Sequence, residues 1–280
     1  MGAYRYGRPH VGYQALMSSV LLTYSGALGY VTELLSGDFN AAFGRSSHHQ
    51  VWSEAMVVTP LMRGLLGIEV SEGGRRLSFA PQVPANWDRV RARNVAVGDA
   101  RYDLMLERTT GRETIRVERR VQVNAASAAR IIVAPAFPLD AKIRSVTVNG
   151  RAAKFETQRT GDVQRVEVNV DAEPPIAEVV FTYDEGTEVY VEPEPLKPAQ
   201  SNQGIRILRS RADANALRLV VEGVGGRSYT LGVRSARRLG EASGVKVSRA
   251  GNADQQLLLT FDGPPDTYTR REVVIPLQAR

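Results

Sequence analysis

The chain has 280 residues, 43% hydrophobic and 24% charged, enough for two or three domains with cores of their own and unlike a disordered or fibrous sequence. It contains no cysteine, which removes disulfides, zinc–thiolate centres and thiol nucleophiles. The balance of 36 Lys+Arg against 30 Asp+Glu gives +6, but the arginines alternate through strand-like runs such as Arg89-Val90-Arg91-Ala92-Arg93 instead of clustering with aromatic residues, so no nucleic-acid partner is expected.

Residues 1–70 are expected to be helical. Tyr13, Leu16, Met17, Val20, Leu21, Tyr24 and Leu28 recur at the spacing of one helical face, with Pro9 near the start and Gly26 and Gly29 near the end. A polar connector containing Thr32-Glu33-Leu34-Leu35-Ser36-Gly37-Asp38 follows. A second helix is expected from Ser47, whose spacing to Gln50 is that of a capping box, through Val51, Trp52, Ala55, Met56, Thr59, Met62, Leu65 and Leu66. Pro60 is expected to bend it and Gly67 to stop it. Both helices are richer in apolar residues than a surface helix needs, which implies burial against helices outside this chain. Residues 16–31 are interrupted by Ser18, Ser19, Tyr24 and Ser25 in a helical rhythm, so an amphipathic helix is expected and not a signal peptide. No run of about 20 apolar residues occurs, so no membrane partner is expected and the chain reads as soluble, with its compartment open.

From Leu77 the period changes to two. Ala100, Tyr102, Leu104 and Leu106 alternate with polar residues after a Gly98-Asp99 turn, and further strands are expected over 114–123, 129–134, 143–148, 163–170 and 177–183. Asn149-Gly150 is a two-residue hairpin signal. Residues 71–191 therefore read as a β-sandwich, 192–198 (Glu192-Pro193-Glu194-Pro195-Leu196-Lys197-Pro198) as a stiff linker, and 199–280 as an accessory all-β module. The expected fold class is α+β: a helical hairpin, a β-sandwich and a second all-β module.

Among groups that could carry chemistry, Glu33 lies in a connector where a side chain can face a cleft. His48 and His49 are adjacent, which points them about 100° apart on a helix, and no carboxylate has the spacing of a metal partner, so no metal is expected. Asp38, Ser36 and Ser53 form no recognisable nucleophilic triad. Trp52 could serve a core or a sugar platform, and Glu54 lies off the apolar face, where a solvated role is expected.

Taken together, Thr32-Glu33-Leu34-Leu35-Ser36-Gly37-Asp38, His48-His49-Gln50-Val51-Trp52-Ser53-Glu54-Ala55 and Leu65-Leu66-Gly67-Ile68 resemble the end of the catalytic domain in six-hairpin, (α/α)6-barrel glycosidases, most of all bacterial glycogen debranching enzymes of the amylo-alpha-1,6-glucosidase kind. The spacing of Pro81, Pro84 and Trp87, followed by Arg93-Asn94-Val95-Ala96-Val97-Gly98-Asp99, resembles the sandwich that follows such a barrel. The resemblance covers residues 9 to about 110. It implies inverting hydrolysis of alpha-linked glycans by two carboxyl groups about 6.5–9.5 Å apart, with Glu33 at the position of the general base. It implies that Trp52 stacks on a sugar ring and that His48 and His49 hydrogen-bond sugar hydroxyls. It also implies an oligo- or polysaccharide substrate and no cofactor. A barrel needs about twelve helices and this chain supplies two, so the chain reads as the C-terminal fragment of a larger hydrolase, inactive without the missing barrel segment and its general acid. The rival reading is a non-catalytic carbohydrate-binding or adhesion protein built of two β-sandwiches.

Overall fold

A computed structural model describes residues 1–23, 29–36, 42–120, 129–171, 175–192, 202–249 and 254–278. Strands account for 53% of the chain and helix for 15%, in four sheets. The expected α+β arrangement, a barrel-ending helical hairpin followed by a sandwich, is therefore not the fold. Helix α1 (Gly2–Arg5) is a single turn, α2 (Pro9–Leu22) has 14 residues, and α3 (Val51–Thr59) has nine. At Pro60 the chain leaves α geometry for a π-helical turn, Pro60–Leu65, in which the Leu66 N–H reaches the Leu61 carbonyl at 3.0 Å. Between α2 and α3 the described chain is not helical. Gln50, not Ser47, caps α3, and it does so without a side-chain bond. The two helices do not bury each other's apolar faces: α3 has no buried residue, and α2 buries only Gly12, Leu16 and Leu21. Helical periodicity marks a face that could be buried, and here much of that face stays in solvent. No described helix is long and apolar enough to cross a membrane.

The helical segment is instead a flank of the first sandwich. Tyr4, Leu16, Leu65 and Ile68 share one core with Phe79, Leu104, Ile115, Val166 and Phe181. Tyr4 is 1% exposed, and its ring is gripped by Gly12 of α2 and Gly64 of the π-helical turn, where a methyl group on either glycine would collide with it. Gly67 ends the turn with φ +61°, tight against the Ala80 carbonyl.

One sheet of that sandwich runs β1 (Ile68–Ser71), β2 (Arg76–Phe79), β6 (Arg130–Val133), β11 (Val163–Val170), β10 (Glu156–Thr160), with β7 (Ala136–Pro138) also on β11. The other runs β3 (Arg89–Val97), β4 (Ala100–Thr109), β5 (Arg112–Arg119), β12 (Ile176–Asp184), β8 (Lys142–Val148), β9 (Arg151–Ala152). Burial alternates over Val166–Val170 of β11 as a two-residue period requires. Asn149 (φ +50°) and Gly150 (φ +76°) make the tight turn between β8 and β9.

The second sandwich has sheets β13 (Thr187–Val191), β16 (Ser228–Ser235), β19 (Gln255–Thr260), β18 (Val245–Arg249) and β14 (Arg206–Ala212), β15 (Ala216–Val224), β20 (Tyr268–Gln278), β17 (Arg238–Leu239). Its core is separate, built on Leu217, Leu231, Leu257, Phe261 and Ile275. Because β13 pairs with β16, the chain changes core between β12 and β13, upstream of the proline-rich stretch, of which residues 193–198 lie outside the described residues.

One bulge shows how polar groups fix the register. The β3–β4 pairing slips between Ala92 and Val95, and Asn94 adopts φ +59°. Asp103 stabilises the slip: its carboxylate accepts the Asn94 N–H at 2.9 Å and the Arg91 guanidinium at 3.0 Å. The Asn94 bond, helped by Arg91 and Arg120 against the cost of burial, holds the Asp103 carboxyl below the usual aspartate range. A lowered folded-state pKa contributes stability above the ordinary aspartate pKa, and that contribution is lost as pH falls through the folded value. Asp103→Ala is expected to cost about 1–2 kcal/mol at neutral pH, with the difference from the parent shrinking on acidification, as measured by urea denaturation across a pH series. Gly64→Ala, which drives a methyl group into the Tyr4 ring, is expected to cost about 1–3 kcal/mol in the same assay, whereas Gly2→Ala, with open space at that position, costs nothing.

Candidate functional site

The segment after α2 returns in extended form and is laced to the segment before α3. The Glu33 N–H donates to the Ser47 carbonyl at 2.8 Å, the Gln50 N–H to the Val31 carbonyl at 3.1 Å, and the Phe43 N–H to the Leu34 carbonyl at 3.1 Å. Leu35 and Ala42 form an antiparallel bridge. Hydroxyls complete the seam: Thr32 Oγ1 donates to the Ser47 carbonyl at 3.0 Å, and Ser46 Oγ accepts the Leu34 N–H at 2.8 Å and lies 3.1 Å from Thr32 Oγ1. Val31, 3% exposed, anchors the seam to the protein.

This seam holds Glu33 against Ser47, and His48, His49 and Trp52 follow Ser47 along the chain. Glu33 is half-buried, and its Oε2 accepts the Ser47 N–H at 3.4 Å. Ser47 thus meets Glu33 twice, its carbonyl holding the Glu33 backbone and its amide making a long bond to the carboxylate. His48 is exposed beside Ser47. The His49 ring meets Tyr30 edge-on with centroids 3.9 Å apart, and its Nε2 lies 3.5 Å from Glu54 Oε1. Trp52 is 62% exposed, with Val51, Met56 and Phe43 also open to solvent. Glu54, expected to be merely solvated, instead partners His49. Asp38 lies outside the described residues. The segments on either side of the seam thus carry one carboxylate on a long backbone bond, two imidazoles and exposed aromatic rings. Among the described residues no three His, Asp or Glu side chains are grouped as metal ligands.

A second concentration of polar groups, not anticipated from the sequence, lies where the sandwiches meet. Glu113 is fully buried; its Oε2 accepts Arg108 Nε at 2.6 Å, while Oε1 has no hydrogen-bond partner among the described residues. Burial raises the carboxyl pKa of Glu113, opposed by Arg108, and burial likewise raises that of Glu188. Arg234 crosses the joint to the Ala85 carbonyl at 2.7 Å and Asp88 at 2.6 Å, and Arg237 pairs with Asp140. Asp162, with a side chain 4% exposed, receives Arg209 at 3.1 Å and Arg211 at 2.7 Å from β14. These residues come from turns and strand ends far apart in sequence, and only a matching of acidic and basic residues between modules could have signalled them.

Two linked β-sandwiches flanked by a short helical segment are the class of architecture seen here. No family model matches the chain, and no curated protein matches it.

The seam yields a direct test. Ser46→Ala removes the acceptor of the Leu34 N–H and a contact of Thr32. Amide exchange at Leu34 is expected to accelerate about tenfold, with the melting temperature of the sandwiches unchanged, as measured by hydrogen exchange and calorimetry.

Proposed function

We propose that this chain contributes to inverting hydrolysis of alpha-linked glycans, with Glu33 as the general base and Trp52, His48 and His49 as the sugar-contacting surface. The observation that supports this reading is a half-buried Glu33 carboxylate that accepts one long bond from the Ser47 N–H and keeps the rest of its hydrogen-bonding capacity open, in a segment followed by the exposed Trp52. A general base must be held within reach of a water while the sugar approaches from the free side, and exposed indole faces suit the apolar C–H face of a pyranose. His48 and His49 supply ring nitrogens that donate to or accept from hydroxyls. The general acid comes from polypeptide packed against this face, about 6.5–9.5 Å from Glu33, as the inverting geometry demands. In the complete enzyme, Glu33→Gln is expected to lower turnover by about 10²–10⁴-fold with glycan affinity little changed, and Trp52→Ala to weaken glycan binding about fivefold to tenfold. Turnover kinetics and calorimetric titration with maltooligosaccharides check both, and near-normal turnover of Glu33→Gln would sink the assignment.

A second reading is a non-catalytic carbohydrate-binding or adhesion protein. It is favoured by the dominance of two closed sandwiches, each with its own core. It requires glycan binding that Glu33→Gln leaves intact, and no turnover in any assembly containing the chain.

A further inference from the structure

We infer that His10 makes the docking of the second sandwich onto α2 pH-sensitive, the joint opening as the imidazole gains a proton. His10, Gln14 and Ser18 are spaced four residues apart, so they share one face of α2. The second sandwich is bonded to that face in order along the helix. Asn202 Nδ2 donates to Ser18 Oγ at 2.9 Å, and Gln14 Nε2 donates to the Ile205 carbonyl at 2.6 Å. Continuing the same way, β14 runs toward the His10 end of α2, where His10, Ile207, Ser210 and Ala212 line one cleft of about 60 Å³.

The surroundings of the ring have little room for another positive charge. Asp162 is the carboxylate whose field acts on His10, but its Oδ1 already receives Arg209 at 3.1 Å and Arg211 at 2.7 Å from β14. One negative charge is thus shared by two guanidiniums, and an imidazolium would be a third cation beside it. The other ionisable groups of the lining are Tyr13, a phenol whose pKa burial raises, Tyr190, which donates to Asp254 at 2.8 Å, and Glu188. Burial in this setting pushes the His10 pKa down to about 4, against the pull of Asp162. When the second sandwich moves off, Arg209 and Arg211 leave with β14 and water returns to the ring, so its pKa recovers toward the ordinary value of about 6.5. A closed-state value below the open-state value favours the closed joint above the ordinary histidine pKa, and that advantage is lost as pH falls from there toward about 4. From this group the open form gains about tenfold between pH 7.5 and pH 5.5. Glu188, whose carboxyl pKa is raised by burial among Arg108, Glu113, Arg234 and Asp140, acts in the opposite direction, so the effect of His10 is read by difference.

Because the chain has no cysteine, a single introduced thiol reports the joint. Ser210 is 7% exposed on the cleft wall, so in Ser210→Cys a maleimide bulkier than the cleft labels the thiol on opening. Labelling rates of the full chain, each divided by the rate of the same chain unfolded in urea at the same pH, give the opening equilibrium. The ratio of this equilibrium in Ser210→Cys to that in the double variant Ser210→Cys, His10→Gln is expected to rise about tenfold from pH 7.5 to pH 5.5. A thiol placed in the second core by Val221→Cys is expected to label more slowly at both pH values, which separates opening of the joint from unfolding. In the unsubstituted chain, the His10 ring-proton resonances are expected to titrate with a midpoint near 4. The inference is overturned if the ratio stays constant over that pH range, if the His10 ring titrates at the ordinary histidine value, or if the Val221→Cys thiol labels as fast as the Ser210→Cys thiol.

Discussion

Asp162 is the point through which the three parts of this protein hold one another. It follows Gly161 in the β10–β11 turn, and its N–H donates to the Gly7 carbonyl at 2.8 Å, which fastens the N-terminal helical segment to the first sandwich. Its carboxylate takes two arginines from β14, which fastens the second sandwich to the first. Gly161 makes this possible because a side chain there would collide with the carbonyls of Tyr6 and Gly7. A buried carboxylate costs several kcal/mol in desolvation unless paired, and two partly exposed guanidiniums offset that cost without themselves being stripped of water. The joint is therefore polar where the two cores are apolar, as expected of modules that each fold around their own core and then dock.

Strands were the legible part of the sequence because each side chain's face is set by its own parity. Val166–Val170 alternates in sequence and alternates in burial, and Asn149-Gly150 turns where two positive φ values are needed. The helical segment misled for a physical reason. Tyr13, Met17 and Val20 repeat at helical spacing, but α2 packs against α1, the π-helical turn and β14, with Tyr4 held between Gly12 and Gly64, and not along a second long helix. A pattern at period 3.6 specifies which face is apolar; it does not specify the partner. The core boundary was similarly hidden, because β13 looks like any other alternating strand and only its pairing with β16 assigns it to the second sandwich.

The candidate site was legible in composition and not in construction. Glu33, His48, His49 and Trp52 are residues of types that bind or hydrolyse sugars, and the seam between residues 31–35 and 42–50 sets Glu33 beside Ser47. What could not be read was the means: Ser46 and Ser47 act through hydroxyl and backbone groups, and any serine in any loop presents the same groups on paper. His49 illustrates the difference. The resemblance implied only that it hydrogen-bonds sugar hydroxyls, whereas the fold sets it edge-on to Tyr30 and within reach of Glu54.

The contrast between the two polar regions bears on which can work on a ligand. At the joint, Arg108 and Glu113 are both nearly dry and spend their strongest bond on each other, so a ligand would have to compete with a charge-assisted hydrogen bond in a low-dielectric setting. On the seam, Glu33 is held by one long bond from a backbone amide, a partner it can keep while a water or a hydroxyl approaches from solvent. A group that is positioned but not saturated is the one available for chemistry. Glu113 also keeps an unbonded Oε1, but it is sealed from solvent, whereas the half-buried Glu33 carboxylate can be reached by a water.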